Sequence, residues 1–275
     1  MQTLGGRQFW GDVQFFRGWR IQRNVFTGHY RLLDEHDFRH AWGTLDECRA
    51  ALQQVRERTT SAFPRRGVVL IHGILRSSKS FSTIAARLRE SGWAAFPFDY
   101  PSSQIGIHEA ADYLNSVVSH LEDLDELDFV CHSMGGLVLR AWFGEHSDPR
   151  VKRAVMMGTP NRGAALADML RKNLIFRAVF GPSGQQLVTD ADGVIPKLAT
   201  PPCEFALIAG ARGTPEGWNP LIPGDDDGTV SVDAVRLDGC TDFTTVRALH
   251  SLLLKHPQAV EQALHFLEHG RLQLA

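Results

Sequence analysis

At 275 residues, 43% hydrophobic and 22% charged, the chain is long enough for one large core, or a medium core with a small appendage. A net charge of −2 excludes a general nucleic-acid binder and a polybasic membrane anchor. No stretch approaches the roughly 20 apolar residues that cross a bilayer, and the opening MQTLGGRQFWGDVQFFRGWR lacks the pattern of a signal peptide, so we expect a cytoplasmic protein. Cys48, Cys131, Cys203 and Cys240 are scattered without metal-binding or CxxC spacing, and read as reduced thiols.

Two textures meet at residues 59–64, predicting a small N-terminal unit (1–62) and a larger one (63–275). In the first, Trp19, Ile21 and Val25, then Tyr30 and Leu32, then Phe38, His40 and Trp42 roughly alternate, as three half-buried strands would. Thr44 and Glu47 form a capping-box pattern, and Leu45, Cys48, Leu52 and Val55 follow on one helical face. The expectation is a β-β-β-α unit. The aromatic cluster Phe9, Trp10, Phe15, Phe16 and Trp19 reads as its core, as a homodimer contact, or as a surface touching lipid.

From residue 67 strands and helices alternate. VVLI (68–71) is a short apolar run suited to a strand buried on both faces. Further strands are predicted at 94–98, 127–131, 151–157, 205–209 and 243–246. Helices are predicted around Phe81, Ile84 and Leu88, and at 110–121, 135–143 and 257–268. Such alternation implies a mostly parallel sheet with helices on both faces. Residues 161–202 interrupt it. Their segment MLRKNLIFRAVF (169–180) reads either as a cap helix over an acyl pocket or as ordinary packing.

FVCHSMGG (129–136) stands where a strand gives way to a helix, the setting of a nucleophile elbow. Cys131, as the last strand residue, should point into the sheet–helix packing. Ser133 should be lifted onto the turn at the carboxyl end of the sheet, where open α/β sheets bind ligands. Gly135 supplies the small residue the turn needs, and Cys131 stands where a glycine is usual. A serine merely capping the helix is the plainer alternative. A catalytic serine needs a base, and the base an orienting carboxylate. GDDDGTV (224–230) follows one late strand and His250 the next, giving the order serine, acid, histidine, with Asp225, Asp226 and Asp227 all available.

LIHGI (70–74), CHSMGG (131–136), MGTPNRG (157–163), DGTVSV (227–232) and ALHSLLLKHP (248–257) together resemble an α/β-hydrolase of the lipase/esterase kind. The likeness runs from Gly67 to the C-terminus, and is to the group containing GPI-anchor inositol deacylases and related bacterial lipases. It implies an α/β-hydrolase fold with a cap insertion. It also implies a triad of Ser133, Asp227 and His250, and oxyanion donors at the amides of Met134 and Ile74, with Gly73 allowing close approach. His72 is expected to structure its loop, His132 to pack beside the elbow, the segment 157–160 to lie beneath the site, and His256 to start a helix. GDDDG lacks EF-hand spacing, so neither metal nor organic cofactor is expected. The function implied is cleavage of a small or lipid-like carboxylic ester through an acyl-enzyme. An acyltransferase on the same triad, and a non-catalytic binding protein with the fold, are the alternatives.

Overall fold

The computed structural model describes residues 7–273; residues 1–6 and 274–275, the outer ends of the expected units 1–62 and 63–275, lie outside the described residues. An antiparallel sheet comes first: β1 (Trp10–Phe16), β2 (Trp19–Asn24), β3 (Tyr30–Leu33) and β4 (Arg39–Gly43), paired in that order. It is followed by α1 (Leu45–Arg58), whose N-terminus carries the full Thr44–Glu47 capping box. Ile21, Leu32, Cys48 and Leu52 form a small core between sheet and helix.

The unit therefore has one strand more than expected, β-β-β-β-α rather than β-β-β-α. WGDVQFF conceals its strand because the register shifts between Asp12 and Gln14, which breaks the alternation. Both of those polar residues are also buried. Of the N-terminal aromatics, Phe15 enters the main core and meets Phe96 edge-on at 5.8 Å.

The second sheet and its helices follow in chain order: β5 (Arg66–Ile71), α2 (Ser82–Glu90), β6 (Ala94–Phe98), α3 (Ile107–Val118), β7 (Glu126–His132), α4 (Met134–Glu145) and β8 (Val151–Met157). After β8 come α5 (Ala165–Leu170), α6 (Leu174–Gln185), β9 (Glu204–Ala211), α7 (Val232–Val235), β10 (Asp242–Arg247) and α8 (Pro257–His269). The six strands are all parallel, in the order β10-β9-β8-β7-β5-β6.

Alternation along these strands divides the core into two layers. Val69, Ile71, Phe129 and Cys131 face one side with Leu114 of α3 and Leu137 of α4. Val68, Leu70, Val130 and Met157 face the other, with Ile84 of α2 and Phe266 of α8. Burial of a side chain such as Phe129 stabilises by about 2–3 kcal/mol, and Phe129→Ala should cost about 3–5 kcal/mol once the cavity is counted. Strand β7 lies inside the sheet, between β5 and β8, so its carboxyl end opens into the middle of the molecule.

Between β8 and β9 the chain detours through α5 and α6, which kinks at Gly181 and Pro182. Its return is pinned by Arg140 of α4, buried, whose guanidinium donates to the carbonyls of Asn161, Ile195, Leu198 and Ala199. Burial pulls its pKa down to about 10, which leaves it charged at neutral pH. The outer part of α6 is not packed away: Leu174 and Ile175 are 77% and 74% exposed.

Candidate active site

The junction of β7 and α4 holds Ser133 at φ 54° and ψ −128°. A side chain with positive φ there costs on the order of 1–3 kcal/mol and persists only where neighbours over-determine it. They do so in three places. Ser133 N–H donates to Met157 O at 2.9 Å, which ties the turn to the end of β8. A Cβ added at Gly135 would collide with the Ile71 carbonyl oxygen, and one at Gly73 would lie 2.8 Å from Ser133 Cβ. Only glycine lets these backbones come so close. Ser133 makes no side-chain capping bond to α4, so the plainer role of helix cap does not describe it.

Cys131 sits two residues earlier, fully buried in the layer with α3 and α4. Burial raises its thiol well above the usual cysteine range, the reverse of what a thiolate nucleophile needs. It serves as a small core residue.

Of the three adjacent aspartates, Asp227 meets His250, Oδ2 to Nδ1 at 2.7 Å. The other oxygen, Oδ1, accepts from the amides of Thr229 and Val230 at 3.0 and 2.7 Å. The carboxylate is thus buried, hydrogen-bonded on both sides and aimed at the ring. Asp225 accepts from the amides of Arg212 and Gly213, and Asp226 from those of Asn219 and Gly228, so both hold loops together. With Nδ1 engaged, Nε2 is the nitrogen of His250 left for proton transfer.

His250 is brought to the serine turn by two contacts. A Cβ at Gly158, the residue after Met157, would lie 3.1 Å from the His250 ring. His132 Nε2 lies 3.0 Å from the His250 carbonyl oxygen and donates to it, with the ring centroids 4.7 Å apart. Burial, then the neighbouring His250, lowers the His132 pKa well below the usual histidine value, which keeps it neutral. Its buried Nδ1 has no hydrogen-bond partner among the described residues. His256 stands at the N-cap position of α8 ahead of Pro257, without a side-chain capping bond.

The loop after β5 completes the setting. His72 Nδ1 donates to Gly73 O at 2.7 Å, and its ring stacks on Tyr100 at 4.4 Å. Tyr100 Oη donates to His72 O at 2.6 Å, and desolvation keeps His72 neutral by lowering its pKa. Among the described residues, no hydrogen bond occupies the amides of Ile74 or Met134. An oxyanion site requires two such unengaged N–H groups. Ile74 also lies near α6: a Cβ on Gly184 would be 3.7 Å from Ile74 Cδ1. Sequence reasoning missed Asp99 and Tyr100, just past β6; a Tyr-Pro pair closing a parallel strand was the available signal.

A six-stranded parallel sheet with helices on both faces, and a strained serine turn at the end of an inner strand, define an α/β-hydrolase fold. The chain belongs to the family described as a domain of unknown function, DUF7379, whose profile matches residues 30–185. That span runs from β3 through α6 and contains Ser133, while Asp227 and His250 lie beyond it.

Among solved structures, the mature lipase BlEst2 of Bacillus licheniformis is similar at a TM-score of 0.56 and 17% identity, over 76% of this chain and 93% of that one. The lin2722 gene product of Listeria innocua is similar at a TM-score of 0.54 and 15% identity, over 76% and 99%. The metagenomic carboxyl esterase MGS0156 is similar at a TM-score of 0.54 and 16% identity, over 70% and 66%. No curated protein matches the sequence.

Proposed function

We propose that the protein is a serine hydrolase that cleaves carboxylic esters through an acyl-enzyme. Ser133 Oγ gives its proton to His250 Nε2 and attacks the ester carbonyl carbon. The negative oxygen that results is held by the amides of Ile74 and Met134, and Asp227 stabilises the imidazolium. Collapse expels the alcohol, which takes the proton back from His250, and water then releases the acid by the same route. These steps need neither metal nor cofactor.

The observation that carries this reading is the 2.7 Å bond between buried Asp227 and partly buried His250, on two late loops, with His250 packed on His132 beside the strained Ser133. The names lipase and carboxyl esterase borne by structural relatives agree with it. A fluorophosphonate probe should label Ser133, and Ser133→Ala and His250→Ala should each abolish p-nitrophenyl ester cleavage while the protein stays folded. An active Ser133→Ala protein would sink the mechanism.

A further inference from the structure

The turn at Arg7–Phe9, just ahead of β1, reaches the carboxyl end of the parallel sheet. Gln8 Nε2 donates to the Arg76 carbonyl oxygen at 2.8 Å. Gln8 Oε1 accepts from Ser102 Oγ at 3.0 Å, from Ser103 N at 3.3 Å and from Ser103 Oγ at 3.2 Å. Ser102 Oγ in turn accepts from Leu75 N at 3.0 Å. One primary amide therefore joins the loop after β5 to the loop after β6, using its donor on the first and its acceptor on the second.

Leu75 is the residue after Ile74, and it is held at φ 57°. A leucine adopts that conformation only under constraint. Two bonds hold it: Arg76 N donates to Gly73 O at 3.2 Å across the turn, and Leu75 N donates to Ser102 Oγ, whose own hydroxyl proton is engaged by Gln8. The peptide that carries the Leu75 amide is linked through Ile74 φ and ψ to the one that carries the Ile74 amide, so holding the first restricts where the second can point.

The far end of the same loop is held from the N-terminal sheet as well. Asp12 N of β1 donates to Asp99 O at 2.8 Å, and Asp99 N donates back to Asp12 Oδ2 at 2.6 Å. Asp99 then accepts from Ser78 N and Ser78 Oγ, at 2.8 and 2.7 Å. Residues 72–78 are thus bonded at Leu75 and Arg76 through Gln8, and at Ser78 through Asp99 and Asp12.

We propose that the N-terminal unit is a positioning element for the oxyanion loop, and that Gln8 is the positioning residue that aims the Ile74 amide. The inference rests on the ester-hydrolase reading above. It gives the appended sheet a catalytic reason for being joined to the core. A glutamine suits the task because the donor and the acceptor sit on one planar group; an alanine supplies neither, and a glutamate loses the donor to Arg76.

The test compares the full-length wild type with Gln8→Ala, Ser102→Ala and the double variant. Each single change should lower kcat for a p-nitrophenyl ester at least about tenfold, with KM held within about threefold, because the misaimed amide serves the transition state and not the bound ester. Affinity for a trifluoromethyl ketone, which forms a tetrahedral oxyanion on Ser133, should fall by the same factor. The double variant should be no worse than the poorer single one, since the two side chains act on the same amide.

Amide hydrogen exchange should rise across residues 73–78 in the variants, with the melting temperature little changed. Unchanged kcat and ketone affinity, or unchanged exchange in that loop, would overturn the proposal. If Gln8→Ala fails to fold, Ser102→Ala carries the same readouts. A wild type that neither cleaves ester nor labels at Ser133 would overturn the hydrolase reading instead, and the exchange arm would still decide whether Gln8 holds the loop.

Discussion

Asp227 and His250 are joined twice: Asp227 Oδ2 to His250 Nδ1 at 2.7 Å, and His250 N to the Asp227 carbonyl at 2.8 Å. The main-chain bond fixes the two loops against each other, and the side-chain bond fixes the ring. An orienting carboxylate works because the imidazole then cannot turn or adopt the other tautomer.

Asp227→Asn should therefore reduce kcat/KM for a p-nitrophenyl ester by about 10³–10⁴. Asp225→Asn, which perturbs only two loop amides, should stay within about threefold of wild type by the same reasoning. Equal losses in the two variants would mean that the acid has been misassigned.

Cys131→Gly should keep ester cleavage within a few-fold of wild type, because the thiol faces the core layer and is held protonated by burial. It should lower stability, through lost burial and a glycine placed in a strand, by about 1–3 kcal/mol. Chemical denaturation and initial rates measure the two effects separately. Abolished activity in a folded Cys131→Gly protein would give the thiol a role it lacks here.

His132 and His72 set an acid limit on stability. Burial lowers both folded-state pKa values below the usual 6.5. The unfolded chain therefore takes up the proton first, so their contribution is complete above about pH 6.5 and is lost as the pH falls below it. Each such group adds a slope of about 1.4 kcal/mol per pH unit in that window. Asp12 has the opposite sign: burial raises its carboxyl to about 7, and its contribution is lost as the pH rises through that value. Urea unfolding of wild type and His132→Gln from pH 7 to 5 isolates His132, because Asp12 and His72 are common to both. The variant should show a slope shallower by one proton; identical slopes would contradict a neutral, buried His132.

Leu174 and Ile175 leave an apolar face of α6 in water while Phe176, beside them, packs on the core and stacks on Phe180 at 4.5 Å. Ile175→Glu should thus leave stability within about 0.5 kcal/mol. If this face borders the acyl path, the same change should raise KM for long-chain esters several-fold and leave p-nitrophenyl acetate unaffected. A KM that rises equally for both esters would separate α6 from acyl recognition.

Much of the architecture was legible in the residues. The parallel strands announced themselves as short apolar runs, because a strand buried on both faces has no polar side to show. The capping box at Thr44 and Glu47 was equally plain, since a helix start is a local pattern. β1 was not legible: a bulge with Asp12 and Gln14 buried inside it removes the alternation that marks a strand. The polar partners those two residues need lie on other elements, on Gln22 of β2 and Asp99 for Asp12 and on Arg49 of α1 for Gln14.

The same division runs through the candidate site. By itself the sequence determined that a serine would stand at a strand-to-helix turn, with a small residue two places on, and that an aspartate and then a histidine would follow late strands. These are properties of nearest neighbours and of chain order. Chain order also pointed Cys131 into the sheet–helix packing, and the resemblance favoured Asp227. That Asp227 meets His250 while Asp225 and Asp226 hold loop amides, and that Gln8 grips the loop beside Ile74, were decided only by the tertiary structure. Each of these depends on side chains far apart in the chain meeting at hydrogen-bond distance, and local pattern carries no record of such meetings.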